Sequence, residues 1–347
     1  MRARLSIDRD VRSAIAQSGR RSSHSVHACL NAWPGSIIRP RSHSRGRSCL
    51  RKIARTCAAA LLLGASVAAS AACPPAATTK ASLQAMKAAE WSIADDARRQ
   101  ALAIALADCL ASPDPVLRDD LAFEALSHWM RAGLLAPRTL QTLRLALLPQ
   151  LRPEAVDAAG FRQPFAALAL SEVSRVDRLE PYLSSEERAG LVRAATAYLA
   201  SVRDYRGFDA KEGWRHGVAH ASDLLLQLAI NPAVDKSQLA AILAAIAAQA
   251  MPPGDHFYVY GEGERLARPV FETGRRGVFS SDEWSAWFAA LSAAQPRADP
   301  PTQATLAARH DLAQFLRALY ASLREIGTPD MQARMLPGLT AALKALD

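Results

Sequence analysis

Two histidines, an aspartate and a glutamine recur at helical spacing in the middle of this chain: His216, His220, Asp223 and Gln227. Each helical residue turns about 100°, so with His216 at zero, His220 falls at about 40°, Asp223 at about −20° and Gln227 at about 20°. The four share one stripe. Leu224, Leu225 and Leu228 point elsewhere. Four kinds of role fit such a stripe. Two imidazoles at i, i+4 can share a divalent metal such as zinc, with Asp223, Glu262 or Glu264 as a third ligand. A His–carboxylate pair can carry the acid–base steps of a hydrolase or lyase. The same groups can form a structural hydrogen-bond network where two helices join, or a solvated face. A solvated face ordinarily carries Lys, Glu and Arg, and none stands among the four. Gly217, not Glu, follows the first histidine, so this is not the zinc-protease His-Glu-x-x-His pattern.

Polar residues flank the stripe on both sides. Upstream, Asp204-x-Arg206-Gly207 reads either as a local ion pair beside a left-handed glycine turn or as part of the cavity the histidines line. Trp214, taken as helical, lies about 160° from His216 and belongs to the core on that reading. Downstream, Gly261-Glu262-Gly263-Glu264-Arg265 superficially suggests a nucleotide loop. It lacks a preceding parallel-strand pattern, a third glycine in place and a Lys-Ser/Thr, so a loop leading into a helix with Glu in its first turn is the plain account. Asp204, Arg206, Trp214, Gln227, Glu262, Glu264 and Arg265 are the candidate binding residues. His128 and His256 stand alone and read as surface or packed side chains. Trp284 and Trp287, at i, i+3, read as core.

The elements that must position these groups are almost all helical. Apolar residues at 3–4 spacing predict helices over 83–91, 94–110, 116–131, 138–151, 163–173, 185–203, 214–230, 237–251, 264–275, 284–293, 302–326 and 329–347. Residues 252–263 are irregular, with Phe257-Tyr258-Val259-Tyr260 the one β-like run. The helices pair at roughly 45-residue intervals, as in a HEAT- or armadillo-like helical-hairpin array. A closed α/α toroid is the alternative. The expected fold class is therefore all-α, a single helical-repeat domain over 81–347 after a short tail at 73–80.

Residues 50–72 read as a secretory signal: Arg51, Lys52 and Arg55, then the apolar run Cys57–Ala69, then small residues. The run is too short to span a membrane, and no transmembrane helix is expected in the mature chain. Residues 1–49, rich in Arg and Ser, read as an over-long translated start or a leader. The chain carries 42 basic and 33 acidic residues, a net of +9, but residues 1–56 alone hold 13 basic and two acidic ones. The remainder is near −2, so the basicity belongs to the leader and does not speak for nucleic-acid binding. Cys73 and Cys109 remain after removal of the leader. In an oxidising compartment they would pair; the alternative is a lipoprotein anchor at Cys73. The expected location is periplasmic or secreted.

Three segments together resemble a bacterial family catalogued as domain of unknown function 2785. They are Asp204-x-Arg206-Gly207-Phe208, Gly213-Trp214-x-His216-x-x-x-His220-x-x-Asp223-Leu224-Leu225, and Glu264-Arg265-Leu266-Ala267. The resemblance spans roughly Asp95 to Ala293. The family pattern would place an acidic residue two positions before Asp-x-Arg-Gly; Val202 stands there. The resemblance implies a helical domain and no activity. Two function classes follow: an envelope interaction scaffold with a protein partner, or a metal-dependent or His/Asp-assisted enzyme acting at His216, His220 and Asp223. Binding of polysaccharide in a toroid groove is a third, resting on compartment and fold analogy alone.

Overall fold

The computed structural model describes residues 73–346. The expected leader and signal peptide lie outside the described residues. Within them the chain is all-α: α1 (Lys80–Ala88), α2 (Asp96–Leu106), α3 (Glu124–Arg131), α4 (Pro137–Leu147), α5 (Arg162–Leu179), α6 (Ser185–Ser201), α7 (Gly217–Ala229), α8 (Lys236–Ala250), α9 (Glu262–Arg275), α10 (Ser281–Ala293), α11 (Gln303–Ile326) and α12 (Pro329–Lys344). A wide π-type stretch, Val116–Phe123, leads into α3.

Local sequence sets most helix starts. The side chains of Ser184, Asp235, Ser280 and Thr302 each accept the N3 backbone N–H, and the same residues donate their own backbone N–H to the N3 side chain. Each such box satisfies two backbone N–H groups that a helix start otherwise leaves orphaned. Pro137 and Pro329 occupy the first turn, where a missing N–H costs nothing.

Packing follows alternation along the chain. α3 lies on α5, α5 on α7, α7 on α9 and α9 on α11; α6 lies on α8, and α10 on α12. The seams are leucine- and alanine-rich: Leu170, Leu224, Leu225, Ala221, Ile242, Ile246, Leu312 and Leu316 are all fully buried. Both faces of α7 are occupied in this way, since α5 and α9 flank it and α6 crosses it. A polar group on α7 is therefore forced to find its partner on a neighbouring helix.

Cys73 is disulfide-bonded to Cys109, which ties the N-terminal tail to the turn after α2. The bond takes up the sulfur that a lipid anchor at Cys73 would need. Among the described residues no helix is long and apolar enough to cross a membrane.

Two expectations need correction. The β-like run Phe257–Tyr260 forms no strand. The strands are instead β1 (Phe208–Asp209) and β2 (Gly213–Trp214), a two-stranded antiparallel hairpin pairing Phe208 with Trp214. Gly213, at φ 78°, supplies a conformation that L side chains avoid. Consequently α7 starts at Gly217, three residues later than the periodicity suggests.

Candidate functional site

Two arginines fix the hairpin to the helical body. Arg118, fully buried, donates from Nη2 to the Glu212 carbonyl at 2.8 Å and from Nη1 to the Ser112 carbonyl at 3.0 Å. Its guanidinium lies 3.8 Å from the Phe161 ring centroid, and the Arg215 guanidinium lies 4.4 Å from the same centroid. Arg215 also donates from Nε to the Ala159 carbonyl at 2.6 Å and pairs with Glu212. The hairpin is thus held through its turn, by the Glu212 carbonyl, and through one aromatic ring, while the Phe208 and Trp214 rings at its open end remain outside.

Those rings form a cluster. Trp214 lies 5.0 Å from Phe208, 4.4 Å from His216 and 5.6 Å from Tyr260, centroid to centroid. Phe208 is 50 % exposed, Trp214 39 % and Tyr260 37 %. Trp214 is therefore not core: the start of α7 at Gly217 removes it from the helical register that would have buried it. Gly207 does not adopt a left-handed turn either. A β-carbon there would stand 2.0 Å from the Tyr260 ring, so the glycine exists to let that ring lie on the backbone.

His216 sits at the junction of hairpin and helix. Its φ of 55° makes it a left-handed residue just before α7, a conformation unfavourable for side chains other than Asn, Asp and Gly. Its Nε2 lies 3.2 Å from the Tyr260 carbonyl. Burial, the nearby Arg265 charge and that contact together bring its pKa down to about 4, the contact alone working upward. His220, one turn into α7, is buried, packs edge-on against Phe165 at 5.1 Å, and leaves Nδ1 without a hydrogen-bond partner. Burial pushes its pKa well below the ordinary value, and the charges of Arg265 and His216 add to that. Both imidazoles are thus neutral at physiological pH, their rings 6.0 Å apart and nearly perpendicular.

Asp223 and Gln227 are committed to other helices. Arg265 grips Asp223 side-on, Nε to Oδ1 at 3.1 Å and Nη2 to Oδ2. Burial raises the Asp223 carboxyl, and Arg265 acts against it. Gln227 Oε1 accepts from Arg178 Nε at 3.2 Å. Arg265 is the hub, bonded to Asp223 and close enough to depress both histidines. The spacing argument thus placed three of the four side chains on one face of α7, with His216 just outside the helix.

The remaining candidates separate. Asp204 and Arg206 pair with each other, Nε to Oδ1 at 2.8 Å, as the local reading held. Glu262, 3 % exposed, turns back to accept the Tyr260 N–H at 2.9 Å, and burial raises its pKa. Glu264 is exposed on the first turn of α9. Trp284 is core and Trp287 packs against the core; His256 stacks on Tyr205 at 5.0 Å and His128 is exposed. Among the described residues no three His, Cys, Asp or Glu side chains group as a metal site would.

One residue escaped the sequence reading. Asp311 of α11 is fully buried, accepts the Tyr258 N–H through Oδ1 at 2.8 Å, and leaves Oδ2 unpartnered. Burial, and the Glu262 charge after it, outweigh that bond and push its pKa up to about 7. A single acid in a long amphipathic helix carries no spacing signal, so nothing in the sequence marks it.

Fold and site together define an all-α protein with a cross-helix His/Asp/Arg polar cluster beneath an aromatic hairpin. The chain belongs to the family described as "Protein of unknown function (DUF2785)", whose model matches residues 147–321. That span begins later and ends later than the resemblance suggested, and contains the hairpin, α7 and α9. No curated protein and no solved structure matches the chain.

Proposed function

We propose that the protein is an exported interaction scaffold of the cell envelope, and that its contact surface is the aromatic cluster at the open end of the hairpin, Phe208 and Trp214 with Tyr260 beside them. One observation carries this reading. The polar groups of the stripe turn inward, to the Tyr260 carbonyl, Arg265 and Arg178, while the rings of Phe208, Trp214 and Tyr260 are left outward. Val259 beside them is 67 % exposed. Clustered exposed aromatic and aliphatic side chains are characteristic of protein-contact sites. Stacking of alternate helices supports a HEAT-like arrangement of hairpins, and the Cys73–Cys109 disulfide supports an oxidising compartment. A hydrolase or lyase using Asp223 would first have to release it from Arg265.

The test is site-specific photo-cross-linking in the producing cell, with benzoylphenylalanine at position 214 or 208. Discrete adducts from both positions, absent when the probe replaces exposed Leu145 or Ile326, are expected. Absence of adducts from the hairpin, or the same adducts from the control positions, would overturn the assignment.

A further inference from the structure

A second surface uses different residues and different chemistry. Three cross-helix contacts form a polar seam over four consecutive helices of one layer. Arg131 on α3 grips Glu172 on α5; Arg178 on α5 bonds Gln227 on α7; Arg265 on α9 grips Asp223 on α7. On α9 the face continues through Arg268, Glu272 and Arg275, at i+3, i+7 and i+10 from Arg265. Arg178 and Arg275 both act on the Glu272 carboxyl.

The seam is layered by charge. In each ion pair the cation is the more exposed partner: 47 % against 7 % for Arg131–Glu172, 26 % against 19 % for Arg265–Asp223, and 49 % against 17 % for Arg275–Glu272. Acids lie beneath and guanidiniums above, so the outermost surface is positive although residues 57–347 are slightly acidic overall. Arg268 is exposed and makes no hydrogen bond or ion pair to another described residue. Glu264 is the exposed acid that offsets it in part. A guanidinium offers five N–H donors in a fork that matches carboxylates, and Arg265 spends two of them on Asp223.

We propose that this seam docks an acidic protein segment, an extended chain bearing several carboxylates. Two features favour that occupant. The seam's own arginines already hold carboxylates side-on, which is the geometry an incoming Glu or Asp would reuse. The seam is also long: neighbouring helices pack about 8–10 Å apart, so four of them span roughly 25–30 Å, the reach of about eight extended residues. A single small anion would leave most of it unused. The inference goes beyond the hairpin reading and shares no tested residue with it, so either can fail alone.

The test is ligand-induced thermal stabilisation of the full chain by an octamer of L-glutamate. Melting reports only ligand that prefers the folded state, so anion held equally by the folded and unfolded chain through basic residues 1–56 shifts nothing. The expected result is a rise in Tm of about 3 °C or more at saturating peptide, shrinking as salt is raised. It is abolished in the variant Arg268→Glu/Arg275→Glu and reduced in Arg268→Gln/Arg275→Gln, each compared with its own ligand-free Tm because the Arg275 guanidinium also lies over the Phe271 ring. No shift in the parent chain, an equal shift in the charge-reversed chain, or a shift with polyphosphate and none with octaglutamate would overturn the proposal.

Discussion

Two buried aspartates in this molecule face opposite fates. Asp177, on α5, is 2 % exposed and Asp311, on α11, is 0 % exposed. Asp177 accepts five hydrogen bonds: two from Arg188 at 2.7 and 3.1 Å, one each from the Leu183 and Tyr182 N–H groups at 2.9 and 3.2 Å, and one from Asn231 at 3.0 Å. Asp311 accepts one, and it faces the Glu262 carboxyl rather than a cation. Burial works to raise both. Around Asp177 the Arg188 pair and the two backbone donors overcome it and the pKa falls; around Asp311 nothing does and the pKa rises to about 7. Burial alone therefore does not decide whether an internal carboxylate holds a fold together. The number and sign of its partners do.

Breaking the satisfied site has the largest expected effect. Asp177→Ala strands the buried Arg188 guanidinium and removes a partner from the α5–α6 turn. The expected cost is about 3–5 kcal/mol, read from the denaturant midpoint with an unchanged slope. The unsatisfied site moves the other way. The Asp311 carboxyl has a folded pKa above its unfolded one, so the folded chain binds the extra proton. Stability is then lost as pH rises from about 4 to about 7 and stays lower above that. Asp311→Asn keeps an acceptor for the Tyr258 N–H and cannot ionise. Relative to the parent it should gain about 2 kcal/mol between about pH 5 and pH 8, measured by parallel unfolding curves at the two pH values.

The smallest effect belongs to His216, where the sign reverses. Its folded pKa of about 4 lies below the unfolded value of 6.5, so the unfolded chain takes up the proton first. Stability falls as pH drops from about 6.5 towards 4. His216→Asn suits the left-handed backbone and retains a donor for the Tyr260 carbonyl. It should make the acid limb of the Tm–pH profile shallower without removing it, because His220 contributes in the same direction. An unchanged limb would mean that His216 is not held neutral at the junction.

How much of this was legible before the fold follows from which interactions are local. The helix starts at Ser185 and Lys236 were readable to within a residue because each follows directly on its capping residue, whereas the start at Ser281, capped by Ser280, comes three residues before the 284 that periodicity suggests. The Asp204–Arg206 pair and the Cys73–Cys109 bond were readable for related reasons, a two-residue separation in one case and only two available cysteines in the other. The hairpin was not, because its strands are two residues each and Trp214 falls in register with the helix that follows. The Arg265–Asp223 grip joins residues 42 apart. Both were named as candidates, yet only the packing of α9 on α7 makes them partners. Gly207 was singled out for the wrong reason: its contact, the Tyr260 ring, lies across a loop that no local pattern connects to it.

On the proposed reading, His216, His220 and Asp223 serve packing and cross-helix pairing, and recognition belongs to the hairpin rings and the arginines around them. Metal content of the full-length protein, measured by elemental analysis beside a His216→Ala/His220→Ala variant of checked secondary structure, tests that claim most directly. The account predicts no stoichiometric metal in either protein, and a variant that melts several degrees lower because a ring packed on Phe165 and a junction contact to Tyr260 are gone. Near-stoichiometric zinc or another transition metal in the parent, lost in the variant, would contradict it and make the same face a reaction centre.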